Sequence, residues 1–153
     1  MWPSSRDSVK QVKFYLLSQL GSDDLSAAEA MACELAAQAW RSGKRVLIAC
    51  ETEQQALNID EALWAREPDS FVPHNLAGEF TQYATPIEIC WQNKRNAQRR
   101  DFLISLQTNL PDYINTFTQI IDFVPIDEKE KVHARERYKQ YRQLGWQLVT
   151  EQA

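Results

Sequence analysis

A group of basic and aromatic residues near the end of the chain shares one face of a predicted helix. They are Lys131, Arg135, Tyr138 and Arg142, and their spacing of four, three and four residues is helical. Lys139 flanks this group. An arginine can hold a carboxylate through two hydrogen bonds, while a tyrosine ring and long alkyl stems can cover an aromatic side chain. The pattern is therefore compatible with a receptor for an acidic, apolar peptide. The alternative is a solvated helix face, which three nearby acidic residues favour: Glu128, Glu130 and Glu136.

A second candidate site lies in the segment 62–76, where large apolar side chains occur at a predicted helix end and in the loop after it. Trp64 and Phe71 are its principal aromatic residues. If these rings are exposed, they are typical of the aromatic hot spots of a protein interface. The alternative is that they anchor the loop to the core.

The chain lacks the glycine patterns that bind phosphate. The segment after the first predicted strand has only Gly21, where a dinucleotide fingerprint needs three glycines. Gly43 and Lys44 precede a strand instead of following one, and no Ser or Thr comes after the lysine. These residues therefore predict a helix end and a turn, without a bound nucleotide.

Catalytic and metal-binding patterns are equally missing from the sequence. His74 and His133 do not fall at metal-ligand spacing, and Cys50, weighed as a nucleophile, fits better as a small buried hydrophobic residue. We therefore expect no catalytic residue, no metal and no cofactor.

The order of predicted elements indicates an α/β layered domain with a mostly parallel sheet flanked by helices. Strands are predicted at 12–17, 46–50, near 71–72, and at 87–91, 102–106, 120–125 and 146–149. Capping patterns begin helices after Ser26, Thr52 and Asp127, and Pro111 suits a short helix that reaches about Phe117. Residues 1–11 form an N-terminal extension, 12–149 the single domain and 150–153 a C-terminal tail.

Composition excludes several broad classes of protein. A chain of 153 residues fits one domain, and a net charge of -4 argues against a surface built entirely to hold nucleic acid. The 3 cysteines lack CxxC spacing, which predicts reduced thiols in the cytoplasm. No apolar run suits export or membrane insertion.

Several motifs resemble the chi subunit family of bacterial DNA polymerase III. They are WRSGKRVLIAC at 40–50, DEALWAR at 60–66 and SFVPHNLAGE at 70–79, followed by RRD at 99–101, DFVP at 122–125 and ARERYK at 134–139. They extend the resemblance over about residues 12–146. Residues 1–11 are longer than the usual start of the family, and the loop 80–84 is less glycine-rich.

This resemblance implies a Rossmann-like fold without a functional nucleotide-binding loop, and a non-enzymatic adaptor. One surface would hold the psi subunit, which links chi to the clamp loader, and another the acidic C-terminal tail of single-stranded DNA-binding protein. DNA would be contacted only indirectly. The psi-facing positions match Trp64 and Phe71. The tail-binding positions match Lys131, Arg135, Tyr138 and Lys139, with Val124 at the base of the pocket.

Two other functions remain open at this point. A direct binder of single-stranded DNA would use the basic cluster of Lys94, Arg95, Arg99 and Arg100. A small nucleotide-using α/β enzyme is the other alternative.

Overall fold

A seven-stranded sheet runs through the part of the chain that the structure describes. The computed structural model describes residues 10–19, 21, 25–66, 72–78, 85–92 and 100–153. The strands are β1 (Gln11–Leu16), β2 (Val46–Ala49), β3 (His74–Leu76), β4 (Ile87–Cys90), β5 (Phe102–Ser105), β6 (Gln119–Val124) and β7 (Gln147–Gln152). Their order in space is β3-β4-β2-β5-β6-β1-β7, and every neighbouring pair is parallel. This confirms the predicted α/β layered fold.

Three α-helices flank the sheet in the described residues: α1 (Ala27–Arg41), α2 (Glu53–Trp64) and α3 (Glu128–Gln143). Ser26 and Glu29 form the reciprocal capping box that the sequence predicts for α1. Thr52 caps α2, although the Gln55 side chain accepts its hydrogen bond from the backbone N–H of Glu51 instead of Thr52. The Asp127 carboxylate accepts from two N–H groups at the start of α3.

The helices divide the core into two layers. Helices α1 and α2 pack on one face of the sheet, against residues such as Ile48 and Ile104. Helix α3 packs on the other face, where Tyr141 packs edge-on against Phe14 and belongs to the same buried cluster as Leu47. Strands β2 and β4 are buried at every position, as expected for parallel strands that are covered on both faces.

Three elements differ from the prediction. The strand predicted near 71–72 lies at β3 instead, and the short helix after Pro111 is a single 3-10 turn (Ile114–Thr116), whose asparagine and β-branched residues are weak helix formers. The last strand continues to Gln152, three residues beyond its predicted end, because β1 offers it hydrogen-bonding partners along its length. Residues 150–152, which we assigned to a tail, therefore belong to the sheet.

Within those same residues, no helix has both the length and the apolar character that a membrane crossing requires.

The thiols should react slowly in the folded protein. Cys33, Cys50 and Cys90 are all buried, and burial raises the pKa of the Cys33 thiol to about 11. Since the thiolate is the reactive form, a disulfide reagent such as DTNB at pH 8 should modify the native protein far more slowly than the protein in guanidinium chloride, where 3 equivalents should react. Rapid stoichiometric reaction without denaturant would contradict this packing.

Candidate functional site

Four of the five residues predicted to hold an acidic tail line one depression beside α3. We call this depression, of about 190 Å³, the α3 groove. It is lined by Phe14, Leu16, Val124, Ala134, Arg135, Tyr138, Lys139 and Thr150. The groove therefore joins one side of α3 to the strands β1, β6 and β7.

The floor of the α3 groove consists of two rows of side chains that cross neighbouring strands. Phe14 in β1 is in register with Thr150 in β7, and Leu16 is in register with Val124 in β6. The Tyr138 ring leans over this floor, with its centroid 5.4 Å from that of Phe14 and an interplanar angle of 52°. An aromatic side chain of a ligand would thus meet apolar carbon on the floor and on the Tyr138 wall.

The rim of the α3 groove is cationic. Arg135 and Lys139 are exposed, and neither forms an ion pair with another described residue. Lys131 does not line the groove, and its Nζ lies 3.5 Å from Oε1 of Glu128 on the preceding turn. The structure thus brings together Val124, Arg135, Tyr138 and Lys139 and leaves Lys131 outside.

A buried ion pair holds α3 against the sheet. The Arg137 guanidinium donates from Nε to Asp122 Oδ2 (2.9 Å) and from Nη2 to Asp122 Oδ1 (3.1 Å). It also donates to the backbone carbonyls of Thr108 (2.9 Å) and Phe123 (3.1 Å). Arg137 is therefore tied to β6 and to the segment after β5. This pair was not predicted from the sequence.

The electrostatic environment of the pair is that of the protein interior. Burial deprives the carboxyl of water and raises the pKa of Asp122, while the attraction of the Arg137 guanidinium acts in the opposite direction. Burial also raises the pKa of the neighbouring Tyr141 hydroxyl. Either charge of the pair would be costly without the other.

Of the two residues predicted for the second surface, the structure describes Trp64, the last residue of α2. Its side chain is 62% exposed, so most of the indole surface faces solvent. One side of the indole meets the His74 ring at 5.3 Å in an edge-on arrangement. The two ring nitrogens of His74 lie 2.8 Å from the Val72 carbonyl and 3.2 Å from the Asp60 carboxylate. Phe71 lies outside the described residues.

The basic cluster of the alternative DNA-binding function is only partly described. Arg100 is 3% exposed, lies 3.7 Å from Glu88 and donates to the Pro86 carbonyl (2.9 Å). It therefore stabilises the fold, and its proposed contact with DNA was wrong. Lys94, Arg95 and Arg99 are outside the described residues.

The carboxyl ends of β1, β5 and β6 border a cleft of about 380 Å³, at the edge where Rossmann-like proteins bind nucleotides. The helix ends that face this cleft already carry carboxylates. Glu29 accepts from the Ser26 N–H and from the Gln55 side chain, both at 3.0 Å, and Asp127 caps α3. A phosphate would meet these negative charges instead of open N–H groups. Nor do three or more potential metal ligands converge anywhere in the described ranges.

The architecture places the chain in the class of Rossmann-like α/β proteins. The crystal structure of T4 UvsW superposes with a TM-score of 0.62 and 8% identity, over 95% of this chain and 41% of that one, so this likeness concerns the fold alone. Residues 9–149 match the family model described as DNA polymerase III chi subunit, HolC.

Curated relatives agree with that match. DNA polymerase III subunit chi of Haemophilus influenzae is 60% identical over 142 residues, which are 93% of this chain and 96% of the relative. The Escherichia coli K12 protein of the same name is 55% identical, covering 93% and 97%, and that of Pseudomonas aeruginosa is 30% identical, covering 90% and 93%. The chain belongs to the family of DNA polymerase III chi subunits, which are accessory subunits in replication.

Removing Arg137 should destabilise the fold strongly. Arg137→Met retains an apolar stem but leaves the Asp122 carboxylate buried without its cation, which we expect to lower the free energy of unfolding by about 3 to 5 kcal/mol. Urea titration followed by circular dichroism measures this loss. The matched control is Arg142→Met, an exposed cation on the same helix, which should change stability by about 0.5 kcal/mol or less. Equal effects of the two substitutions would show that the buried pair contributes little.

Proposed function

We propose that this protein is a non-enzymatic adaptor that couples single-stranded DNA-binding protein to the polymerase clamp loader. In this proposal the psi subunit binds around Trp64 and Phe71, and the acidic C-terminal tail of single-stranded DNA-binding protein binds in the α3 groove. Membership of the chi family supports the assignment. The observation that carries it is the α3 groove itself, where an apolar floor lies beside cations that have no partner among the described residues.

The chemistry of the α3 groove suits a peptide that ends in an aromatic residue with a free carboxylate. Such a terminus needs a cation for the carboxylate and an apolar wall for the ring. Arg135 supplies the cation with a planar, bidentate geometry. Tyr138 and Val124 supply the wall, and Phe14 extends it below. Lys139 and Lys131 would attract the acidic residues upstream, Lys131 more weakly because Glu128 already partners it.

The two proposed surfaces lie far enough apart to be occupied together. Trp64 contacts His74 in β3, at one edge of the sheet, whereas the α3 groove includes Thr150 in β7, at the other edge. Six inter-strand spacings of about 4.8 Å separate these edges by about 29 Å. The helices that carry them, α2 and α3, also cover opposite faces. Neither partner would therefore have to leave before the other binds.

The alternative functions have less support from the structure. Direct DNA binding could not use Arg100, because its side chain is buried, and the net charge of -4 is unfavourable for binding phosphates. A nucleotide-using enzyme would have to place phosphates beside the carboxylates of Glu29 and Asp127.

Binding of the tail should depend most on Arg135. Arg135→Ala should weaken the binding of a labelled acidic peptide with a C-terminal aromatic residue by about 1.5 to 3 kcal/mol, since it removes a charged hydrogen-bonding partner. Lys131→Ala and Lys139→Ala should cost only about 0.5 to 1 kcal/mol and flatten the salt dependence. Fluorescence anisotropy at two salt concentrations measures both effects, with Arg41→Ala as the cationic control, since Arg41 is an exposed arginine on α1, on the other face of the sheet. Unchanged binding by Arg135→Ala would remove the groove from the proposal.

Binding of psi should depend on the other edge of the sheet. Trp64→Ala and Phe71→Ala should each weaken the binding of psi by about 2 kcal/mol or more, because a large aromatic anchor is lost from the interface. Tail affinity should not change. Calorimetric titration of psi into the protein, with and without saturating tail peptide, should yield the same affinity. Competition between the two ligands would contradict the separation of the surfaces, and normal psi binding by both folded variants would eliminate the Trp64 surface.

A further inference from the structure

Strand β7 forms an edge of the sheet that carries few of the usual protections against pairing. It is six residues long, mostly exposed, and contains neither proline nor lysine. The opposite edge strand, β3, has only three residues, and two of them, His74 and Asn75, are buried. Proteins normally shield long edge strands with lysine, proline or bulges, because the unpaired backbone groups recruit further strands. An edge of this length that no other described strand pairs with is a candidate site for an added strand.

The hydrogen bonds with β1 determine which backbone groups of β7 face outward. The Gln147 N–H donates to the Lys10 carbonyl (2.9 Å) and the Ala153 N–H donates to the Leu16 carbonyl (3.0 Å). Because the N–H and C=O groups of one strand residue point to the same side and alternate along the strand, the odd-numbered residues of β7 face β1. The even-numbered residues therefore direct their N–H and C=O groups away from the sheet: Leu148, Thr150 and Gln152.

This row of outward groups is continuous with the α3 groove. The Thr150 side chain lines the groove, and Gln152 is in register with Leu16 on its floor. The charges are also complementary to an acidic strand, since Lys139 lines the groove and Arg142 follows one helical turn from Tyr138. The acidic residue of β7, Glu151, already contacts Lys13 at 3.3 Å.

We propose that an acidic peptide seated in the α3 groove continues as an additional β-strand along the outer edge of β7. The inference rests on the proposed tail-binding function and specifies how the peptide is held upstream of its aromatic end. The main chain of the peptide pairs with Leu148, Thr150 and Gln152, which is recognition by strand addition. Alternate acidic side chains then point toward the cations of α3.

A scan of backbone N-methylation tests this pairing on the unmodified protein. The probe is a short labelled peptide with several aspartates, two aliphatic residues and a C-terminal phenylalanine with a free carboxylate. Each upstream amide is methylated in turn, and affinity is measured by anisotropy. In an added strand only every second N–H faces β7, so alternate peptides should bind about fivefold or more weakly while those between them stay near the parent.

A substitution in β7 provides an independent measurement. Gln152→Pro removes one outward N–H that the ladder with β1 does not use, so the edge strand should remain folded while the parent peptide binds about fivefold more weakly. Gln152→Ala is the matched control, because it keeps the N–H and should bind like the native protein. If Gln152→Pro does not fold, the methylation scan still decides.

The outcomes separate this inference from the function on which it rests. An alternating scan supports strand addition. A flat scan with a peptide that still requires Arg135 overturns strand addition and leaves the groove intact. Absence of binding by the parent peptide overturns both. A flat scan together with concentration-dependent dimerisation in analytical ultracentrifugation would assign the β7 edge to a second copy of the chain, and would likewise overturn the proposal.

Discussion

The buried contact between Asp122 and Arg137 determines how α3 presents its surface. Both charges are buried away from water, so the folded state is stable only while their mutual attraction and hydrogen bonds remain intact. Because Arg137 points inward, the helical period turns Arg135 and Lys139 outward and places Tyr138 over the sheet. The buried position of Arg137 thus determines the direction in which Arg135 and Lys139 point. The groove is therefore a product of the fold, and α3 alone would not form it.

Much of the fold could be predicted because its signals are local. The capping box of Ser26 and Glu29, the apolar run 46–50 and the Asp127 cap each involve neighbouring residues, and each lies where it was predicted. Covering both faces of a parallel sheet also leaves continuous apolar strands, which are conspicuous in a sequence. The parallel α/β architecture followed from the order of these signals.

The remaining features depend on contacts between distant parts of the chain. Arg137 looks like one more cation in a charged helix, and only the fold places Asp122 beside it, 15 residues earlier. Phe14 and Thr150 share the groove floor because β1 lies between β6 and β7 in the sheet. The alternation of side chains along each strand could still have indicated which face of the sheet each of the two residues lies on. The position of Lys131 outside the groove depends on side-chain geometry that helical spacing does not specify.

The arrangement of the two proposed surfaces also has a mechanical consequence. A pull between a partner at the β3 edge and a partner at the β7 edge acts across the strands, along the direction of the inter-strand hydrogen bonds. The ladders then bear the force in series, so the weakest strand pair limits the tension that the domain can transmit. The pairs of β3 with β4 and of β5 with β6 each have only three residues in register, whereas β1 pairs with β6 and with β7 over six. Of the two short pairs, β5 and β6 lie inside the sheet and each has a second neighbouring strand, while β3 is an edge strand that is paired on one side only. Under tension the domain should open first at β3, beside Trp64, while the α3 groove stays folded.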